Sequence, residues 1–164
     1  TAMVASGCLN IHQASRSIDR RIVLLIWAAL ALGAAMQATG GAIFLAESLV
    51  GLLDGAHPAI ILSLFFLLVA IITNILSNNA TAVLFTPVGI GIAKTIGIDP
   101  MVFVFAVIFA ANCSFATPMG YQTNLLVMGP GHYRFIDFFK AGTPLVILLW
   151  LVFSVIAPIY YGLV

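Results

Sequence analysis

Thr73-Asn-Ile-Leu-Ser-Asn-Asn-Ala-Thr81 is a polar, helix-unfriendly run with strongly apolar residues on both sides. Thr117-Pro-Met-Gly-Tyr-Gln-Thr-Asn124 repeats the arrangement downstream. A bilayer core has no water to satisfy loose backbone. A helix broken at membrane depth is therefore tolerated only where it is buried in protein or lines a cavity.

Working outward, Ser77-Asn78-Asn79 separates two apolar arms, so 58–96 reads as a helical hairpin, with Pro58 near its start and Pro87 as a kink. Met101 to Ala116 reads as helix, Thr117 to Asn124 breaks it, and Leu125 to Met128 resumes it before Gly129-Pro130-Gly131. The unit 101–131 is thus a discontinuous helix. An amphipathic segment over 132–140 carries Arg134, Asp137 and Lys140, and a last span covers 143–161, with Tyr160 and Tyr161 at an interfacial aromatic belt. Upstream, 1–21 reads as the end of a preceding helix and a loop with Arg16, Arg20 and Arg21. A span follows over 22–39, stopped by Gly40-Gly41. The segment 42–53 is too short to cross and reads as an interfacial helix.

Composition agrees with this layout. The 164 residues are 63% hydrophobic and 7% charged, with a mean hydropathy of +1.20. A soluble domain carries roughly 25% charged residues, so the expectation is an all-α integral membrane protein. A formal net charge of +1 offers no basis for nucleic-acid binding. Cys8 and Cys113 are far apart and form no metal or redox spacing. Beginning at Thr1 with no signal-peptide layout, the sequence reads as part of a longer protein. With the Arg16–Arg21 loop in the cytoplasm, five of the six basic residues fall inside and only Lys94 outside. The C-terminus is then outside.

Each break has two readings. Asn and Ser at the tip 77–79 can cap the second arm, whose N-terminus favours an anion. The end of the first arm exposes carbonyls suited to Na⁺. Broken helices hold ion and substrate in this way in many secondary transporters. The alternative is polar packing between helices in a non-transporting scaffold. Proline kinking without a ligand is the corresponding alternative for 117–124. A channel-like pore lined by both breaks also stays open. Glu47, Asp54, Asp99 and Asp137 fall in loop or interfacial stretches, and His12, His57 and His132 lack metal spacing. No catalytic arrangement emerges, so an enzyme is not expected. The lack of a carboxylate in the two breaks argues against proton coupling through this region.

At these residues the chain resembles the divalent anion/sodium symporter family, within the wider ion transporter superfamily. Members carry Ser-Asn-Thr at a hairpin tip in each inverted repeat, and Ser77-Asn78-Asn79 stands in that place. Ala116 to Asn124, followed by Gly129-Pro-Gly-His-Tyr-Arg-Phe135, matches a pattern of the citrate- and sulfate-permease-like branch, with Met119 for an isoleucine and His132 for a glycine. The resemblance implies the C-terminal half of an inverted-repeat elevator transporter performing Na⁺-coupled uptake of dicarboxylate, citrate or sulfate. It implies that Ser77, Asn78, Asn79, Thr123 and Asn124 face the substrate. It places Na⁺, the coupling ion, among Thr73, Leu76, Asn78, Gly120 and Gln122. Asn79 exchanges the motif's hydroxyl for an amide, which puts carboxylate preference in question. The resemblance further implies a partner N-terminal repeat, a homodimer and residence in the plasma (inner) membrane. An H⁺-coupled or arsenite-type relative is the nearest alternative within transport.

Overall fold

The computed structural model describes residues 55–163 continuously, together with isolated positions between 6 and 51. The expected loop, span and interfacial helix upstream of 55 lie outside the described residues, apart from those isolated positions. The described residues form five helices from residue 58 onward: α1 (Pro58–Ile72), α2 (Asn78–Ile96), α3 (Pro100–Ala111), α4 (Gln122–Met128) and α5 (Phe135–Tyr160). No strand occurs among them.

Each start is written locally. His57 caps α1, its ring nitrogen accepting from Ala59 N, and Pro58 occupies the first turn, where a missing N–H costs nothing. Ser77 Oγ accepts from Ala80 N and caps α2. Asp99 Oδ1 accepts from Met101 N at 2.9 Å and caps α3 beside Pro100. Gly97, at φ 74°, takes the left-handed conformation that closes α2.

At 1.5 Å per residue, the 15 residues of α1 and the 12 of α3 extend about 22 and 18 Å. Both fall short of a hydrocarbon core of ~30 Å. The 19-residue α2 and 26-residue α5 are long and apolar enough to cross a membrane.

One expectation needs correcting. The segments 132–140 and 143–161 are a single helix, α5. The start signal lies upstream, where Arg134 N donates to Asp137 Oδ2 at 2.8 Å. At Ala141–Thr143 the chain meets no competing cap, and Pro144 removes one bond without ending the helix.

The core lies where α3 packs on both arms; the arms contact each other less than either contacts α3. Phe65, Phe66, Phe103, Leu62, Ile92 and Val107 are fully buried there. Gly89 allows the close approach: a Cβ at that position would lie 3.2 Å from both Phe103 and Phe65. On the other side, α1 is joined to α5 by stacked Phe66 and Phe153, 4.4 Å between centroids. A polar cluster adds to that joint. Trp150 Nε1 donates to Ser63 at 3.0 Å, and the Ser63 and Ser154 hydroxyls lie 2.6 Å apart.

Candidate functional site

The two breaks meet face to face. Thr73 Oγ1, fully buried, donates to the carbonyl of Ala111 at 2.7 Å. Asn74 makes most of the remaining joint. Its Nδ2 donates to Ala70 O at 2.7 Å and to Cys113 O at 3.0 Å. Its Oδ1 accepts from Ala116 N at 2.9 Å, and its backbone carbonyl accepts from the Thr117 hydroxyl. Thr117 Oγ1 in turn accepts from Gly120 N at 3.2 Å.

These bonds explain the shape of the second break. The sequence pattern sets it over 117–124, but α3 ends at Ala111 and α4 begins at Gln122. The carbonyls of Ala111 and Cys113 are taken by Thr73 and Asn74 instead of by helix N–H groups. Pro118 has no N–H with which to reach back to the Ser114 carbonyl. Asn124 Nδ2 serves that carbonyl at 2.9 Å, and the Thr117 carbonyl at 3.1 Å. The backbone freed by the break is thereby paired inside the protein.

Asn78, in the first turn of α2, points into this junction. With its amide nitrogen inward, its two N–H groups are shared among four oxygens within reach, Ser114 Oγ at 3.0 Å and Gly120 O, Thr73 Oγ1 and Ala111 O at 3.1 Å. The Thr73 hydroxyl has a single hydrogen, and its 2.7 Å bond to Ala111 O uses it, so toward Asn78 it is an acceptor. With the amide turned over, Oδ1 joins the same four oxygens. Two hydroxyls, two carbonyls and one amide oxygen then converge, a donor set that suits a hard cation. Gly120 permits the approach. A Cβ there would stand 3.0 Å from Thr73 O and from Ser114 Cβ.

Other expected residues lie differently. The terminal carbonyls of α1 are already bonded, Val69 O to Thr73 N and Ile72 O to Ile75 N and Leu76 N. The Thr73 carbonyl, one residue beyond α1, stands 3.0 Å from where a Cβ on Gly120 would be, beside the second break. Leu76 and Gln122 are exposed, and no bond among the described residues ties either to the cluster. Asn124 is a brace, since its amide nitrogen is committed to two carbonyls. Ser77, Asn79 and Thr123 are exposed beside the junction. The first N–H groups of α2, at Asn78 and Asn79, have no helical partner because a helix start leaves them free. Sequence reading assigned no role to Asn74, Ala111, Cys113, Ser114 or Thr117. Asn74 carried a signal, since an amide inside apolar helix must find partners. The others act through backbone or short hydroxyls, and only the folded geometry reveals them.

The described residues form helices and no strand, two of the helices are apolar and long enough to cross a membrane, and a buried polar junction joins the broken ones, features that fit a membrane transporter. Similarity to known proteins defines the family: a model of the citrate transporter family matches residues 1–163, and the chain belongs to that family. It is 41% identical over 98% of its length to an uncharacterized transporter of Synechocystis, covering 26% of that protein. It is 36% identical over 94% of its length to the uncharacterized transporter YfbS of Escherichia coli, covering 25% of it. It is also 29% identical over 92% of its length to sodium/sulfate cotransporter 1 of Chlamydomonas reinhardtii, covering 17% of it. The chain thus spans about a quarter or less of the length of these curated relatives. Members of the family are transporters and not enzymes.

Proposed function

We propose that the chain is the C-terminal repeat of a Na⁺-coupled symporter that carries a small divalent anion, sulfate, citrate or a dicarboxylate, by an elevator motion. The observation that carries this reading is the convergence of Thr73, Ser114, Ala111 and Gly120 oxygens on Asn78. Na⁺ would be held there by Thr73, Asn78 and Gly120, joined by Ala111 and Ser114, with Leu76 and Gln122 as outlying backbone donors. The anion would sit against Ser77, Asn78, Asn79 and Thr123, at the positive end of α2. Cation and anion would then flank one side chain, so binding of one would favour the other by direct attraction.

The sulfate in the names of the Chlamydomonas relatives and the amide at Asn79 favour an oxyanion over a dicarboxylate. The whole protein would add an N-terminal repeat with the second hairpin, form a homodimer and lie in the plasma membrane with this C-terminus outside. The test is uptake of labelled sulfate, succinate and citrate by the full-length parent in proteoliposomes, with and without an inward Na⁺ gradient. Saturable uptake of one of them that needs Na⁺ is expected. Uptake indifferent to Na⁺, or a conductance without saturation, would refute coupling.

A further inference from the structure

Asn74 is 7% exposed, and its side chain reaches across from the first break to make two bonds to the second. Its amide binds Cys113 O and Ala116 N, its backbone carbonyl binds Thr117, and its Cα lies 3.3 Å from where a Cβ on Gly120 would be. It is fixed on its own side by the 2.7 Å bond to Ala70 O, one turn back. Of the five oxygens that can converge at Asn78, three belong to the segment Ala111–Gly120, which Asn74 grips at several points. The other two, Thr73 Oγ1 and Asn78 Oδ1, flank Asn74 on the first break. The two sets meet directly at the 2.7 Å Thr73–Ala111 bond, and the Asn74 side chain braces the segments that carry them on either side of it.

We propose that Asn74 is a positioning residue that sets the spacing of the two breaks, and through it the size of cation accepted at Asn78. This rests on the cation reading proposed above. A short, rigid amide with both donor and acceptor engaged fixes distance in a way that general polar packing does not. The bonds to Cys113 and Ala116 face opposite functions, donor and acceptor, so the amide has only one workable orientation.

Asn74→Gln keeps every polar group but lengthens the arm by one methylene, so it separates spacing from simple satisfaction of hydrogen bonds. Thr117→Val removes the second tether, at the backbone carbonyl, together with the bond accepted from Gly120 N, and leaves the Asn74 amide intact. The measurement is the thermal shift of the purified full-length transporter titrated with NaCl and with LiCl at constant ionic strength. For Asn74→Gln the half-effective Na⁺ concentration should rise about tenfold, the scale of losing about one hydrogen bond's worth of alignment. Li⁺, the smaller ion, should weaken more, so that the Li⁺/Na⁺ preference falls. Thr117→Val should move in the same direction by a smaller factor. A wild-type protein with no Na⁺ response overturns both this inference and the cation reading beneath it. A wild-type response retained with unchanged Na⁺ and Li⁺ midpoints in both variants overturns the spacing role of Asn74 alone. A loss of melting temperature with an unchanged ion ratio does the same, since it reports only structure.

Discussion

Gly142 is where α5 crosses the second break, and replacing it with alanine tests that crossing. A Cβ at 142 would overlap the Phe115 carbonyl and stand 2.6 Å from Ala116 N, against 3.4 Å or more for ordinary contact. The overlap with Ala116 N is about 0.8 Å by that measure and that with the Phe115 carbonyl is larger, and both obstructing groups are backbone, which cannot rotate away. Overpacking of this kind costs about 1–3 kcal/mol. The upper part of that range applies because Ala116 N is also held by Asn74. Alanine gains about 1 kcal/mol over glycine in a helix interior, so the expected net loss is about 2 kcal/mol. Gly129→Ala is the control: nothing lies within 4 Å of its Cβ position and its φ is −67°. It should change stability by no more than about 0.5 kcal/mol. The assay is thermal unfolding of the full-length protein in detergent, followed by intrinsic fluorescence, with both variants beside the wild type. Gly142→Ala should melt clearly below the wild type, whereas Gly129→Ala should melt close to the wild type. A Gly142→Ala protein at or above wild-type stability would mean that α5 does not lie on Phe115, and the placement of the second break against α5 would be wrong.

Three further outcomes follow from the same geometry. Gly120→Ala meets Thr73 O and Ser114 Cβ at 3.0 Å; a shift of a few tenths of an ångström should leave the protein folded but raise the Na⁺ half-saturation of uptake several-fold. Thr73→Val leaves the buried Ala111 carbonyl without its donor and should destabilise by about 1–3 kcal/mol, measured by thermal unfolding, whereas Thr73→Ser keeps the hydroxyl and should approach the wild type. Trp150→Phe loses the indole bonds to Ser63 but keeps an aromatic ring. Interhelical bonds in a membrane average about 0.6 kcal/mol, so a small drop in melting temperature with unchanged Na⁺ dependence is expected.

The helical class and the family were legible because both rest on local patterns. Apolar stretches long enough to span, and the runs around Ser77-Asn78-Asn79 and Ala116 to Asn124, need no tertiary knowledge to recognise. Helix ends were legible where a side chain announces them, as at His57-Pro58, Ser77 and Asp99-Pro100. The start of the second break was not, because Asn112 to Ala116 leave the helix only when Thr73 and Asn74 supply partners from another segment. Local pattern placed the start of the break at Thr117, whereas the competition for carbonyls places it five residues earlier, at Asn112. The continuity of α5 through Thr143-Pro144 was hidden for the opposite reason. Gly-Thr-Pro resembles a boundary in isolation, but Arg134 and Asp137 had already begun the helix and close contact at Gly142 continues it across the junction. Ser114 and the carbonyls of Ala111 and Gly120 illustrate a limit of motif reading: they contribute by position, and no residue type marks them.

In the proposed mechanism cation and anion would share one side chain, Asn78. The direct measurement is sulfate uptake by full-length wild type and Asn78→Ala in proteoliposomes, titrated with Na⁺, at matched amounts of folded protein. Asn78→Ala should lose Na⁺-dependent uptake while keeping its melting temperature within a few degrees of the wild type. Undiminished uptake with the same Na⁺ half-saturation would contradict the assignment of the junction as the coupling site.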